Sequence, residues 1–384
     1  MNTQNLPPAS GAWREDDPVG ERKFFHGGPL ELEGGRTLPE YKIAYETWGT
    51  LNPQGTNAIL VLHALTGDSH IVGEAGPGHP TPGWWTELIG PGAPLDTDKY
   101  FVVAPNVLGG CMGSTGPAST GPNGGLWASD FPFITMRDTV SAEIPLGEYL
   151  GVKSWALIIG GSLGGMRALE WALMSPRPVR RLMVVASAAK TTADQIAWAH
   201  TQLAAIEYDV GFNGGDYYEA AAGEGPHRGL SIARQIAQTT YRSALELGRR
   251  FGQERQGDED PWNGGRYAVQ SYLEYQGQKF VHRFDANSYC VLTRAFMAHD
   301  VGRGRGGVAS ALSQIQARTT VVGVDTDRLC LPEEQELIAQ HVPGGRPVEW
   351  VQSHSGHDGF LLEFDQFGPL VTNCLSEDWR AEEP

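Results

Sequence analysis

Cysteine is scarce and scattered: Cys111, Cys290, Cys330 and Cys374 are the four in 384 residues, and no two form a C-x-x-C pair. Such spacing offers neither a zinc knuckle nor a small disulfide framework, so four free or buried thiols and no metal are expected. Long apolar runs are also missing. A membrane-crossing helix needs about 20 consecutive apolar residues, and no stretch approaches that. The N-terminus lacks the basic-then-apolar order of a secretory leader, so a cytoplasmic protein without a membrane partner is expected. Positive charge is in deficit, with 29 Lys and Arg against 45 Asp and Glu and a net charge of −16. A phosphate backbone would be repelled overall, which argues against nucleic acid as a partner. The RGRGG stretch at residues 303–307 reads as a flexible basic turn. An anionic substrate would need a local cluster of arginines.

What the chain does contain is the profile of a folded protein, 40% apolar and 19% charged. Its length calls for two domains or one large α/β domain with an insertion. The first twenty or so residues and residues 377–384 are polar or Pro-rich and are expected as mobile arms. Short runs rich in Val, Ile and Leu recur at residues 58–62, 101–104, 155–159, 182–186 and 319–324, most of them separated by amphipathic stretches. Continuous apolar strands alternating with helices imply a mostly parallel, doubly wound sheet covered on both faces. Residues 187–311 break that rhythm. They carry helix-like runs at 194–208, 229–247 and 268–284 joined by Gly-rich turns, with no comparable strand. The expected division is an α/β core at 1–186 and 312–384 with a helical lid inserted at 187–311.

The sharpest local signal is LIIGGSLGGMRALEW, residues 157–171. A strand that delivers a nucleophile to the top of a sheet turns abruptly into a helix, and the neighbours of the turning residue must lack side chains. Gly160-Gly161-Ser162-Leu163-Gly164 has that G-x-S-x-G form. It follows a β-like run and precedes a helix with Met166, Leu169 and Leu173 on one face, stopped at Ser175-Pro176. Ser162 becomes the candidate nucleophile, and the backbone N–H of Leu163 a candidate oxyanion donor. A phosphate-binding loop is the competing reading, but the lysine of G-x-x-x-x-G-K-[ST] is absent and the glycines do not fit G-x-G-x-x-G.

A serine of this kind needs a base and an orienting carboxylate downstream, in the order Ser, Asp, His for this fold. Asp327 follows the late strand-like run and His357 lies in the Gly-flanked SHSGHDGF loop, 30 residues further on. Asp325 and His354 compete from the same two loops, and spacing favours Asp327 and His357 only modestly. His299 and His341 lack a comparable loop and read as structural or surface residues. A second oxyanion donor is expected from the turn after the early strand, His63-Ala64-Leu65-Thr66-Gly67, with the N–H of Leu65 well placed.

With GGSLGGMRALEW, HALTGD, NVLGGCMGSTGP, DTDRLCLP and SHSGHDGFL together, residues 24–371 closely resemble the homoserine O-acyltransferase family. The resemblance implies an α/β-hydrolase core with a helical lid, a homodimer through that lid, and Ser162, Asp327 and His357 as the triad, against Asp325 and His354. It implies acetyl-CoA as co-substrate with no permanently bound cofactor, and L-homoserine as acceptor. The block ARQIAQTTYRS at 233–243 is similar to the family's lid. By that likeness Arg234 holds the homoserine carboxylate, Tyr241 lines the same site, Asp358 pairs with the ammonium and Thr66 contacts the substrate. An arginine fork matches a carboxylate, and a buried carboxylate an amine. Two positions depart from the family: Leu163, where many relatives carry Met, and Cys330, in a segment often aromatic. Cys111 has no histidine near it in sequence and reads as part of a wall. A succinyl donor, a serine acceptor and a plain esterase are the enzymatic rivals.

Overall fold

In the computed structural model, which describes residues 6–376, eight strands share one sheet. They are β1 (Lys23–Gly27), β2 (Tyr41–Trp48), β3 (Ala58–Leu62), β4 (Phe101–Pro105), β5 (Trp155–Gly161), β6 (Arg181–Val185), β7 (Arg318–Val324) and β8 (Glu349–Val351). Their spatial order is β1-β2-β4-β3-β5-β6-β7-β8. β2 runs antiparallel to β1 and β4, and every other pairing is parallel. The expected mostly parallel sheet is present, each apolar run falling on a strand to within two residues at either end. The first two strands, β1 at the sheet edge and β2 beside it, were not anticipated.

Ten α-helices accompany the sheet among the described residues: α1 (Met136–Tyr149), α2 (Leu163–Met174), α3 (Ala193–Glu207), α4 (His227–Tyr241), α5 (Ala244–Phe251), α6 (Ala268–Val281), α7 (Ala286–Met297), α8 (Val308–Leu312), α9 (Pro332–His341) and α10 (Phe364–Ser376). Side chains alternate across a strand, and the two cores divide accordingly. Ala58, Leu60 and Leu62 of β3 pack with Val140 of α1, Ala168 and Leu169 of α2 and Ile338 of α9. Ile59 and Val61 face the other way, onto Trp85 and onto Phe367 and Val371 of α10. Both faces of the parallel strands are thus dry, the condition that lets β5 read as an unbroken apolar run.

The helices α3 to α7 lie between β6 and β7 in the chain, and no strand of the sheet comes from that stretch. They bury a core of their own, with Leu203, Ile206, Ala233, Phe280, Phe284 and Tyr289 among its members. The run expected as one helix over 229–247 is two. Ser243 caps α5 by accepting the N–H of Glu246 and ends α4 two residues earlier. From Val301 onward the chain rejoins the sheet, since Val301, Ala311 and Leu312 sit in the core under α2 and β6.

The expected N-terminal arm needs correction. From residue 6 onward the segment is strapped down: Ser10 Oγ donates to Asp285 (2.7 Å), Gly11 N–H to the Phe284 carbonyl (3.2 Å) and Trp13 N–H to the Cys111 carbonyl (2.9 Å). Polar composition hid these long-range partners. Residues 1–5 and the arm expected at 377–384 lie outside the described residues. Among the described residues no helix is long and apolar enough to cross a membrane.

Candidate active site

Ser162 stands at the junction of β5 and α2 with φ 57° and ψ −125°, a backbone region that a residue with a Cβ rarely occupies. The neighbouring glycines are required by contact. A Cβ on Gly160 would sit 2.2 Å from the Gly164 carbonyl oxygen, and one on Gly164 would sit 2.0 Å from the Leu62 carbonyl oxygen. The elbow is anchored from two sides. Ser162 N–H donates to the Val185 carbonyl (2.9 Å), and Ser187 Oγ donates to the Ser162 carbonyl (2.8 Å). Beneath it α2 is tied to α1 by a fully buried ion pair, Arg167 with Glu143, whose other carboxylate oxygen accepts the Trp171 indole N–H at 2.9 Å.

His357 Nε2 lies 2.8 Å from Ser162 Oγ, and His357 Nδ1 lies 2.7 Å from Asp327 Oδ2. All three residues are buried. Asp327 follows β7, and its Oδ1 accepts the backbone N–H groups of Leu329 (2.8 Å) and Cys330 (3.0 Å). His357 sits in a short 3-10 helix, Gly356–Leu361, after β8. The rival residues have other places: Asp325 is exposed and accepts the Ser353 N–H (2.9 Å), while His354 is exposed and offers its carbonyl to Ser243. Burial disfavours the His357 imidazolium, but the Asp327 carboxylate beside it, helped by Asp358 and Glu334, holds its pKa above the ordinary value.

Leu65, Ser162 and Leu163 line one cavity of about 40 Å³ with Trp198, Tyr241 and Phe296, and none of its lining residues is charged. The turn carrying Leu65 is fixed by a histidine that sequence reasoning passed over. His63 Nε2 accepts the Val107 N–H (3.0 Å) and its Nδ1 lies 2.7 Å from the Ala64 carbonyl, which defines one neutral tautomer. Burial, reinforced by the nearby Arg167, pushes its pKa down to about 3. Its motif position after β3 was the available signal.

A larger cleft, about 290 Å³, opens beside this cavity and is lined by Thr66, Asp68, Trp84, Arg234, Lys279 and Arg283 among others. Arg234 Nη1 stands 3.5 Å from Thr66 Oγ1, and its guanidinium lies over the rings of Phe280 (4.9 Å) and Tyr241 (5.5 Å). Tyr241 in turn lies against the His357 ring, centroids 5.8 Å apart. Asp358 already has a cation, Arg242 Nη2 at 3.2 Å, a partner that local sequence gave no reason to expect. Arg283, in the turn between α6 and α7, donates to the Thr66 carbonyl (2.6 Å), so that turn touches the segment after β3 directly.

Among the described residues, two groups of side chains gather three possible metal ligands within 4.8 Å: Glu46, His70 and His79, and Asp327, Cys330 and His357. In the first, the imidazoles are stacked with centroids 3.8 Å apart and planes 16° from parallel. A ring nitrogen lone pair lies in its ring plane, so stacked rings do not aim at one ion. All four cysteines are buried; burial pushes the Cys111 thiol well above its ordinary range.

Residues 57–364 match the α/β hydrolase fold family. A homoserine O-acetyltransferase of Thermobifida fusca (strain YX) is 57% identical over 371 residues, covering 96% of this chain and 98% of its own. The chain belongs to the homoserine O-acetyltransferase family. Among solved structures, the homoserine O-acetyltransferase from Bacillus anthracis superposes with a TM-score of 0.86 at 25% identity, over 94% of this chain and 98% of that one. Esterase E22 superposes with a TM-score of 0.83 at 26% identity, over 93% and 100%. The family therefore supplies the expected fold and acyltransferase class, and its structural neighbourhood includes hydrolases.

Proposed function

We propose that this protein transfers the acetyl group of acetyl-CoA to the side-chain hydroxyl of L-homoserine through an acetyl-Ser162 intermediate. The observation that carries the reading is the chain of two short contacts, Ser162 Oγ to His357 Nε2 at 2.8 Å and His357 Nδ1 to Asp327 Oδ2 at 2.7 Å, set at a strained strand-to-helix turn. His357 takes the serine proton as Oγ attacks the thioester carbon. The N–H groups of Leu163 and Leu65 meet the oxyanion, and CoA leaves with the proton from His357. Homoserine then gives its hydroxyl proton to His357 and attacks the acetyl-serine, regenerating Ser162.

Acetyl is favoured over succinyl by the cavity at Ser162. Its lining is uncharged, and a succinyl carboxylate buried there without a cation would cost several kcal/mol. Arg234 and Thr66 receive the homoserine carboxylate in the adjoining cleft, with Tyr241 closing the wall between substrate and base. Asp358 takes the ammonium in competition with Arg242. The lid, helices α3 to α7 of the insertion expected at 187–311 in a core of 1–186 and 312–384, limits water at the intermediate and so favours transfer over hydrolysis. No cofactor is held between turnovers.

The protein acts as a homodimer through the lid, in the cytoplasm. Lid side chains left in solvent support the first statement: Tyr208 is 88% exposed, Val210 95% and Trp262 93%. The free, buried thiols of Cys111, Cys290 and Cys330 suit a reducing compartment.

Purified protein supplied with acetyl-CoA and homoserine is expected to release thiol and form O-acetylhomoserine, with succinyl-CoA and serine at least about tenfold poorer in kcat/KM, a difference of about 1.4 kcal/mol. Likeness to esterase E22 gives the hydrolase reading a definite signature, thiol release that ignores homoserine. Transfer undiminished in Ser162→Ala would end the serine mechanism.

A further inference from the structure

The acyl-transfer steps leave one side chain at the triad unused. Cys330 lies wholly buried beside the relay, and donor atoms of Asp327, Cys330 and His357 stand within 4.8 Å of one another. A tetrahedral zinc shell with bonds of about 2.0–2.3 Å places its donors roughly 3.3–3.8 Å apart, so small side-chain adjustments close the set. A second carboxylate stands by. The Gln195 amide contacts Cys330 Sγ at 3.7 Å and donates to Glu334 Oε2 at 3.1 Å, while Glu334 Oε1 is buried with no hydrogen-bond partner. Glu334 is only 9% exposed.

We infer that Asp327, Cys330 and His357, backed by Glu334, form a site for a thiophilic divalent cation of the zinc class that switches the acyltransferase off. One sulfur, one nitrogen and carboxylate oxygens are the donor set that prefers zinc over magnesium or calcium. Binding balances simply. The thiol proton leaves to solvent, the Cys330 thiolate and His357 Nδ1 give their lone pairs to the metal, and the proton formerly on Nδ1 resides on Nε2. Nothing is oxidised or reduced. Nε2 is the nitrogen that otherwise accepts from Ser162, so the metal-bound tautomer has no base to offer. Unlike the stacked pair His70 and His79, this group holds a single imidazole, with Asp327 and Cys330 from the loop after β7 and His357 from the turn after β8.

The inference does not depend on which alcohol accepts the acyl group, and its test avoids thiol products that would compete for metal. Chelator-treated full-length protein is titrated with Co2+, and separately with Zn2+ while Ser162 is acylated by p-nitrophenyl acetate. One equivalent of Co2+ is expected to raise a thiolate-to-metal charge-transfer band. Micromolar Zn2+ is expected to suppress acylation reversibly, with millimolar Mg2+ inert. Cys330→Ala and Cys330→Ser are expected to abolish the band and raise the half-inhibitory Zn2+ concentration by at least about tenfold, with a smaller rise in Glu334→Gln. No charge-transfer band in the unaltered protein overturns the site, whatever the variants do. Equal zinc inhibition with and without Cys330 overturns it too, by assigning the metal to His357 alone. A zinc-free protein that fails to acylate would instead count against the serine chemistry.

Discussion

Arg242 reaches Asp358 with Nη2 3.2 Å from Oδ2, one residue beyond the histidine that contacts Ser162. The carboxylate thereby joins the end of α4 to the loop of His357, and it also raises the affinity of His357 for its proton. If Asp358 receives the homoserine ammonium, Asp358→Asn raises KM for homoserine by about tenfold or more, a loss of about 1.4 kcal/mol. Acylation by acetyl-CoA alone should change much less. Pre-steady-state acylation and steady-state transfer separate the two, and an acylation defect as large as the transfer defect would reassign Asp358 to the base.

The pH profile of acylation follows from the same charges. As the proposed base His357 must be a neutral imidazole, and the surrounding carboxylates hold its pKa above the ordinary value of 6.5. Activity therefore falls as pH drops through that raised value, placing the acid limb above pH 6.5. Asp327→Asn removes the nearest anion, so it should move the limb to lower pH while cutting kcat by about 10⁴-fold, the scale seen when a triad loses its carboxylate. A limb that stays in place would show that another group titrates.

Much of this site was legible because its logic is local. The elbow needs glycine at fixed offsets from Ser162, and the apolar strand before it needs no context beyond two covered faces. Asp327 and Asp325 were not separable by residue type; burial of one and exposure of the other required the tertiary fold. The edge strand β1 escaped for the opposite reason. Its KFFHG is exposed or half-buried throughout instead of forming an apolar run. Ser243, three residues before Glu246, was a readable start signal for α5 that a long amphipathic stretch concealed. His63, Gln195, Arg242 and Glu334 act through partners distant in sequence or around a turn, and nothing in their neighbourhoods announces those partners.

Acid stability should carry the mark of the buried neutral histidines. Burial pushes His299 down to about 3, and its Nε2 faces the Ala188 carbonyl at 3.2 Å. A depressed base stabilises the native state fully above the unfolded pKa of about 6.5 and loses that contribution as pH falls toward 3, because only the unfolded chain takes up the proton. His299→Gln keeps an amide donor for Ala188 and has no such uptake. Urea unfolding between pH 6 and 4 should therefore give a stability slope shallower by up to about 1.4 kcal/mol per pH unit than in the unaltered protein. His63, His70 and His357 are common to both proteins and cancel in the comparison. Equal slopes would mean that His299 is already charged in the native state or opens to solvent.

The elbow itself predicts a conflict between stability and chemistry. Ser162 holds φ 57° and ψ −125° because the sheet, the Val185 carbonyl and Ser187 fix both ends of the turn. Holding a residue with a Cβ in such a region costs on the order of 1–3 kcal/mol, and glycine is largely relieved of it. Ser162→Gly loses acyl transfer entirely, yet its unfolding free energy should rise relative to Ser162→Ala by about 1 kcal/mol, the alanine retaining the strained Cβ. The gain is the smaller end of the strain because glycine also loosens the unfolded chain. Denaturant unfolding of the two inactive variants reads the difference directly, with Oγ absent from both. An alanine variant as stable as the glycine one would show that the turn carries no strain, and the reason for placing four glycines around one serine would then lie in close packing alone.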